Sequence, residues 1–98
     1  GEDIKQVIAK RLRVCRAKSG YTQMQAAVYS DITETAYTNY ERGTRMPKLD
    51  ILVRIADMYK VSLDYLAGRT DDQDRFDEDR TAEAARFCAS LKRIFKLS

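Results

Sequence analysis

The sequence predicts an all-helical fold, with five short helices followed by one further helix near its carboxyl end. Apolar residues repeat at helical spacing along most of the chain, and the alternation of apolar and polar residues typical of strands is absent. Candidate capping residues and glycines divide this pattern into short segments. The 98 residues suffice for one small domain with an appended element.

The first two helices are marked by an apolar face and by a cap. The first helix ends at Ser19-Gly20, a common helix stop, and its apolar face is formed by Ile4, Ile8, Leu12 and Cys15. The second helix begins after Thr22, whose hydroxyl can accept a hydrogen bond from the backbone two or three residues later, and it runs to about Tyr29.

The next three helices follow from similar signals. A turn at Ser30-Asp31 uses an aspartate, which tolerates the left-handed conformation. Thr33 is the expected N-cap of the third helix, and Gly43 stops it. The fourth helix has the apolar stripe Leu49, Leu52, Ile55, Ala56 and Tyr59, and the fifth is SLDYLAG, capped by Ser62 and closed by Gly68.

The segment from Thr22 to Gly43 carries the strongest functional signal. Two short helices around a tight turn form the layout that places one helix in the major groove of DNA. Its small or apolar residues can face inward, and they are Ala26, Ala27, Ile32, Tyr37 and Tyr40. The residues left to face outward are polar, and they are Gln23, Glu34, Thr35, Thr38 and Asn39.

The side chains on the outer face of the third helix suit base recognition. Asn39 can pair with adenine N6 and N7, Glu34 can accept from cytosine N4, and threonine can donate or meet a thymine methyl group. The predicted base-reading set is Glu34, Thr35, Thr38 and Asn39. Arg42, Arg45 and Lys48 flank the helix as candidate phosphate contacts. The alternatives are a merely solvated helix face and an ordinary charged loop.

Four motifs resemble the phage repressor and Cro-like family of helix-turn-helix regulators. They occur in order as IAKRLRVCRAKSG, the TQ that opens the second helix, the ERG that closes the third, and RMPKLDILVRIADMYKVSLDYLAG. The resemblance covers Ile4 to Gly68. It implies a lambda-repressor-like bundle that binds double-stranded DNA as a homodimer on a partly palindromic operator and controls transcription, most often by repression.

The resemblance also assigns roles to individual residues. It implies that Gln23 contacts phosphate at the start of the second helix, and that Arg16 and Glu41 form an internal salt bridge from the first helix to the third. The chain departs from the family pattern at Ala26, where leucine is usual, and at Asp31, where glycine is usual. Tyr37 and Tyr40 replace aliphatic residues and are expected to fill the volume lost at Ala26.

The net charge is +3, and the charged residues are distributed unevenly along the chain. We expect a DNA-binding domain over residues 1–68, an acidic linker over 69–80 and an amphipathic helix over 81–98. The linker is either flexible or the solvated start of the last helix. The apolar face of that helix either packs on its own domain or forms a dimer interface, for which the candidates are Phe87, Leu91, Ile94 and Phe95.

Other classes of protein receive little support from the sequence. The chain has no histidine, no glycine-rich phosphate loop and no metal-ligand spacing, so we expect no enzyme activity, cofactor or metal. Cys15 and Cys88 are expected to be free thiols of a cytoplasmic protein without a membrane span. An antitoxin-like protein is the alternative, with a terminal helix that binds a partner protein while the helix-turn-helix represses its own promoter.

Overall fold

A computed structural model describes residues 3–73, and this part of the chain is helical without strands. Five helices follow one another: α1 (Ile4–Ser19), α2 (Gln23–Tyr29), α3 (Glu34–Arg42), α4 (Leu49–Tyr59) and α5 (Leu63–Leu66). The five-helix, all-α prediction is therefore confirmed. The predicted helix over 81–98 lies outside the described residues, as do Cys88 and the candidate dimer residues.

Side-chain caps fix the starts of most helices. The hydroxyl of Thr22 accepts from the backbone of Gln25, and the Gln25 side chain accepts from the backbone of Thr22, so the two form a capping box. The hydroxyls of Thr33 and Ser62 also cap α3 and α5, as the sequence predicted, by accepting from the backbone N–H groups of Ala36 and Tyr65. Asp3 caps α1, a role that the sequence analysis did not assign.

The turn between α2 and α3 is held by a left-handed residue and by hydrogen bonds to α2. Asp31 has a φ of 63°, so the predicted left-handed aspartate is confirmed. Buried Ser30 donates its hydroxyl proton to the carbonyl of Ala26 at 2.6 Å. The backbone N–H of Ile32 donates to the carbonyl of Ala27 at 3.0 Å. These bonds join the turn to the last residues of α2.

The core lies where α3 packs against α1 and α2, and where α1 meets α5. Ala26 and Ala27 are fully buried, and so is the large side chain of Tyr37. The hydroxyl of Tyr37 is 2.5 Å from that of Tyr59. The ring of Tyr37 belongs to the same buried cluster as Ala26 and Ala27, and its polar end keeps a hydrogen bond.

The first residues after α5 lie against the helical domain. Arg11 stands over the ring of Tyr65 at 4.3 Å, and it donates to the carbonyl of Thr70 and the carboxylate of Asp71. The amide of Gln73 donates to the hydroxyl of Tyr65 at 3.2 Å. The predicted acidic linker is therefore held on α1 and α5 as far as residue 73.

Two further expectations concern cysteine and membrane association. Cys15 is a buried free thiol, and burial raises its pKa to about 11, so it is protonated at neutral pH. None of the helices within residues 3–73 has the length and apolar character needed to cross a bilayer.

Candidate nucleic-acid interface

The outer face of α3 presents the four residues predicted to read bases. Their spacing puts them on one side of the helix, opposite the buried rings of Tyr37 and Tyr40. They differ in exposure, because two are open to solvent and two are half-buried: Glu34 and Thr35 are exposed, and Thr38 and Asn39 are half-buried. The helix therefore projects a compact polar face of small and medium side chains.

Both ends of α3 are fixed by short-range bonds. Thr33 accepts from the backbone of Ala36 at 3.1 Å, and Gly43 ends the helix with a φ of 75°. Beyond the glycine, the hydroxyl of Thr44 is 3.2 Å from the carbonyl of Asn39 and 3.4 Å from its side-chain oxygen. An amide oxygen has two lone pairs, so Asn39 keeps one acceptor site as well as its two N–H donors for a base.

The predicted pair of Arg16 and Glu41 is in contact. Arg16 Nε donates to Glu41 Oε2 at 2.6 Å, and another guanidinium nitrogen of Arg16 donates to the carbonyl of Tyr21 at 3.1 Å. The side chain of Arg16 is 28% exposed and that of Glu41 is 2% exposed. One arginine therefore connects α1 to the start of the helix-turn-helix and to the last turn of α3.

Glu41 is charged despite its burial. Burial acts to raise the pKa of its carboxyl group, but hydrogen bonds from Arg16, Gln23 and Tyr37 outweigh that effect and hold the pKa below its ordinary value. A charge-assisted bond to a guanidinium favours the ionised form most strongly. The buried end of α3 therefore carries a fixed carboxylate at neutral pH.

Gln23 lies closer to α3 than an outward-facing phosphate contact would require. Its side chain is half-buried. Nε2 donates to Glu41 Oε1 at 3.0 Å, and Oε1 accepts from the hydroxyl of Thr38 at 3.2 Å. This connection between α2 and α3 was not predicted from the sequence. One N–H of the amide and the backbone N–H groups at the start of α2 are compatible with the phosphate contact that the resemblance implied.

The three cationic residues at the end of α3 and in the loop after it are exposed. Arg42 ends the helix, and Arg45 and Lys48 lie in the loop before α4. The loop is held from behind, because the amide of Gln6 donates to the carbonyl of Gly43 at 3.1 Å. Arg13 adds a bond to the carbonyl of Glu41. Sequence reasoning missed Gln6 and Arg13, which bond to backbone atoms and leave no local pattern.

Similarity to known proteins agrees with this geometry. The helix-turn-helix family HTH_3 matches residues 12–66, more than half of the chain. The chain belongs to this family. The match covers the second half of α1 and all of α2, α3, α4 and α5, and it includes Gln23, Glu41 and the outer face of α3. The resemblance to phage repressors and Cro-like proteins is thus confirmed.

Two relatives illustrate the family. The HTH-type transcriptional regulator ImmR of Bacillus subtilis is 42% identical over 64 residues, which are 65% of this chain and 50% of ImmR. The cryptic phage CTXphi transcriptional repressor RstR of Vibrio cholerae is 40% identical over 62 residues, 63% of this chain and 55% of RstR. The chain thus spans about half the length of these curated relatives.

A solved structure shares the fold. The crystal structure of the clp gene regulator ClgR from Corynebacterium glutamicum superposes with a TM-score of 0.64 at 17% sequence identity, covering 94% of this chain and 93% of ClgR. At that identity the likeness concerns the fold alone.

Proposed function

We propose that the protein is a sequence-specific DNA-binding regulator of transcription, and a repressor in particular. The main support is that the polar side chains of α3 lie on its outer face, while the partly buried ion pair of Arg16 and Glu41 holds the end of this helix on α1. A helix held in this way can present the same donors and acceptors to each base pair that it meets. The family and the regulators and repressors among its relatives support the proposal.

In this proposal, α3 enters the major groove. Its outer face contacts the bases, and the neighbouring segments contact the phosphates. Glu34, Thr35, Thr38 and Asn39 read base edges. The phosphates on either side are met by the start of α2 and by the loop after α3, through Gln23, Arg42, Arg45 and Lys48. The protein needs no cofactor or metal for this, and we place it in the cytoplasm, where its DNA lies.

A homodimer on a partly palindromic operator completes the proposal. Two copies of α3 can occupy half-sites about one helical turn apart. The support comes from the sequence beyond the described residues, where one helical face would carry Phe87, Leu91, Ile94 and Phe95. The named relatives are regulators and repressors, and they give the antitoxin-like alternative no support.

Selection from random duplex DNA tests the proposal. The full chain should enrich one motif whose two halves are related by inversion. Arg45→Ala should weaken binding to all sequences about equally and reduce the slope of log K against log salt by roughly 1. The matched control is Arg69→Ala, which removes the same charge from an exposed residue after α5 and should leave the slope unchanged. Binding without any enriched motif would exclude sequence-specific recognition.

A further inference from the structure

A line of polar groups runs from the interior of the domain to the face of α3. It begins at Arg16, which donates to Oε2 of Glu41 at 2.6 Å. The other oxygen of Glu41 accepts from Gln23 Nε2 at 3.0 Å, and Gln23 Oε1 is 3.2 Å from the hydroxyl of Thr38. Three helices thus contribute to one chain of hydrogen bonds that ends on the proposed base-reading surface.

The direction of every bond in this chain is determined by the charge at its buried end. An ionised carboxylate can only accept, so the Gln23 atom facing Glu41 must be its NH2 group. The amide oxygen of Gln23 therefore faces Thr38. An amide oxygen can only accept, so the Thr38 hydroxyl must supply the proton. The hydroxyl oxygen of Thr38 can still accept a hydrogen bond, but its single proton is already used.

We propose that Thr38 meets DNA only as a hydrogen-bond acceptor, taking a bond from the exocyclic amino group of adenine or cytosine, and that Gln23 is the positioning residue that imposes this polarity. The inference rests on the proposed function, since it assumes that α3 reads base edges. It extends that function by assigning one direction of hydrogen bonding to a side chain that could otherwise bond in either direction.

The consequence for recognition is specific. In the major groove, adenine N6 and cytosine N4 donate, whereas purine N7, guanine O6 and thymine O4 accept. A free threonine hydroxyl can bond to any of these groups. With its proton held by Gln23, Thr38 bonds only to the amino groups, so it prefers the positions at which an amino group stands opposite its oxygen.

Analogues of the bases in the selected duplex test the proposal. Purine in place of adenine, or 2-pyrimidinone in place of cytosine, removes the amino group, while 7-deazapurines remove N7 and uracil removes the thymine methyl group. Each analogue is placed in turn at every position of the selected site. Affinities are measured for the full-length wild type, Thr38→Ser and Thr38→Val, where serine keeps the hydroxyl and valine lacks it.

At one position, removal of the amino group should weaken wild type and Thr38→Ser by roughly 2- to 10-fold, the effect of one neutral hydrogen bond. The same analogue should not change the affinity of Thr38→Val. A Thr38-dependent loss on removal of N7 or of the thymine methyl group would overturn the proposal. The proposal would also be overturned if no analogue had an effect on affinity that depends on Thr38. A selected motif would still support specific DNA binding in that case.

Gln23→Met tests the positioning role, because methionine has a similar shape and no hydrogen bond to offer Thr38. The freed hydroxyl can then donate as well as accept, so removal of the amino group should have a smaller effect and an effect of N7 removal should appear. Unchanged analogue effects in a folded Gln23→Met protein would exclude Gln23 as the cause of the polarity. If this variant does not fold, the Thr38→Ser and Thr38→Val pair still decides whether Thr38 accepts from an amino group.

Discussion

Removal of Arg16 should destabilise the domain because it leaves the Glu41 carboxylate buried without its cation. Breaking one partner of a buried ion pair costs about 3–5 kcal/mol. The Arg16 side chain is 28% exposed, so water screens part of the interaction. Gln23 Nε2 also continues to donate to the carboxylate. We therefore expect a loss of about 2–3 kcal/mol for Arg16→Ala.

The coupling between the two residues is measured by a double-mutant cycle with urea unfolding followed by circular dichroism. Arg16→Ala, Glu41→Ala and the double variant should give a coupling energy of about 1–3 kcal/mol. The matched control pair is Arg54 and Asp31, whose charged atoms are 4.0 Å apart and whose side chains are 42% and 92% exposed. That pair should couple by less than about 0.5 kcal/mol. Equal coupling in the two cycles would refute the argument from burial.

The same pair makes stability depend on pH in a defined direction. The pKa of Glu41 is lower in the folded protein than its ordinary value of 4.5, because hydrogen bonds from Arg16 and its neighbours outweigh burial. The ionised group therefore stabilises the fold fully above pH 4.5, and this contribution is lost as the pH falls through the folded pKa. The difference in the free energy of unfolding between wild type and Glu41→Gln should therefore shrink in that acidic range. A difference that does not change with pH would contradict the linkage.

Three other changes separate recognition, backbone geometry and assembly. Asn39→Ala should cost about 1–3 kcal/mol on the selected site and relax base preference at one position, measured by fluorescence anisotropy, and unchanged preference would exclude Asn39 from base reading. Gly43→Ala should lower stability more than Gly20→Ala. Both glycines have a φ of 75°, but a Cβ at Gly43 would lie 2.5 Å from the Gln6 amide and would displace it from its hydrogen bond to the Gly43 carbonyl. Thermal unfolding measures both losses of stability, and equal losses would mean that backbone strain alone causes them. Truncation after Gln73 should keep the five helices but shift sedimentation toward monomer and weaken operator binding, whereas an unchanged oligomeric state would remove the later segment from the dimer interface.

The helices were predictable because their boundaries are encoded locally. Thr22 and Thr33 cap helices through bonds to the backbone three residues away, and Gly20 and Gly43 end helices in the left-handed conformation. The left-handed Lys60 at the end of α4 was not predicted. Lysine has no intrinsic preference for that conformation, and the backbone N–H groups of Lys60 and Val61 bond back to the last turn of α4 there.

The candidate site was predictable in its outline but not in its connections. The spacing along α3 indicated which face is polar, and burial of Tyr37 and Tyr40 agrees with that expectation. The position of Gln23 was not predictable from the pattern, because its partners Thr38 and Glu41 belong to another helix. An exposed glutamine and a bridging glutamine have the same sequence signature, and only the packing of α2 on α3 distinguishes them.

We propose above that the outer face of α3 contacts base edges in the major groove. Nuclear Overhauser effects between the full-length protein and its selected duplex measure this contact directly. We expect such effects from Thr35, Thr38 and Asn39 to major-groove protons, such as those of thymine methyl groups and cytosine H5. Effects confined to another surface of the protein, or to minor-groove protons, would contradict it.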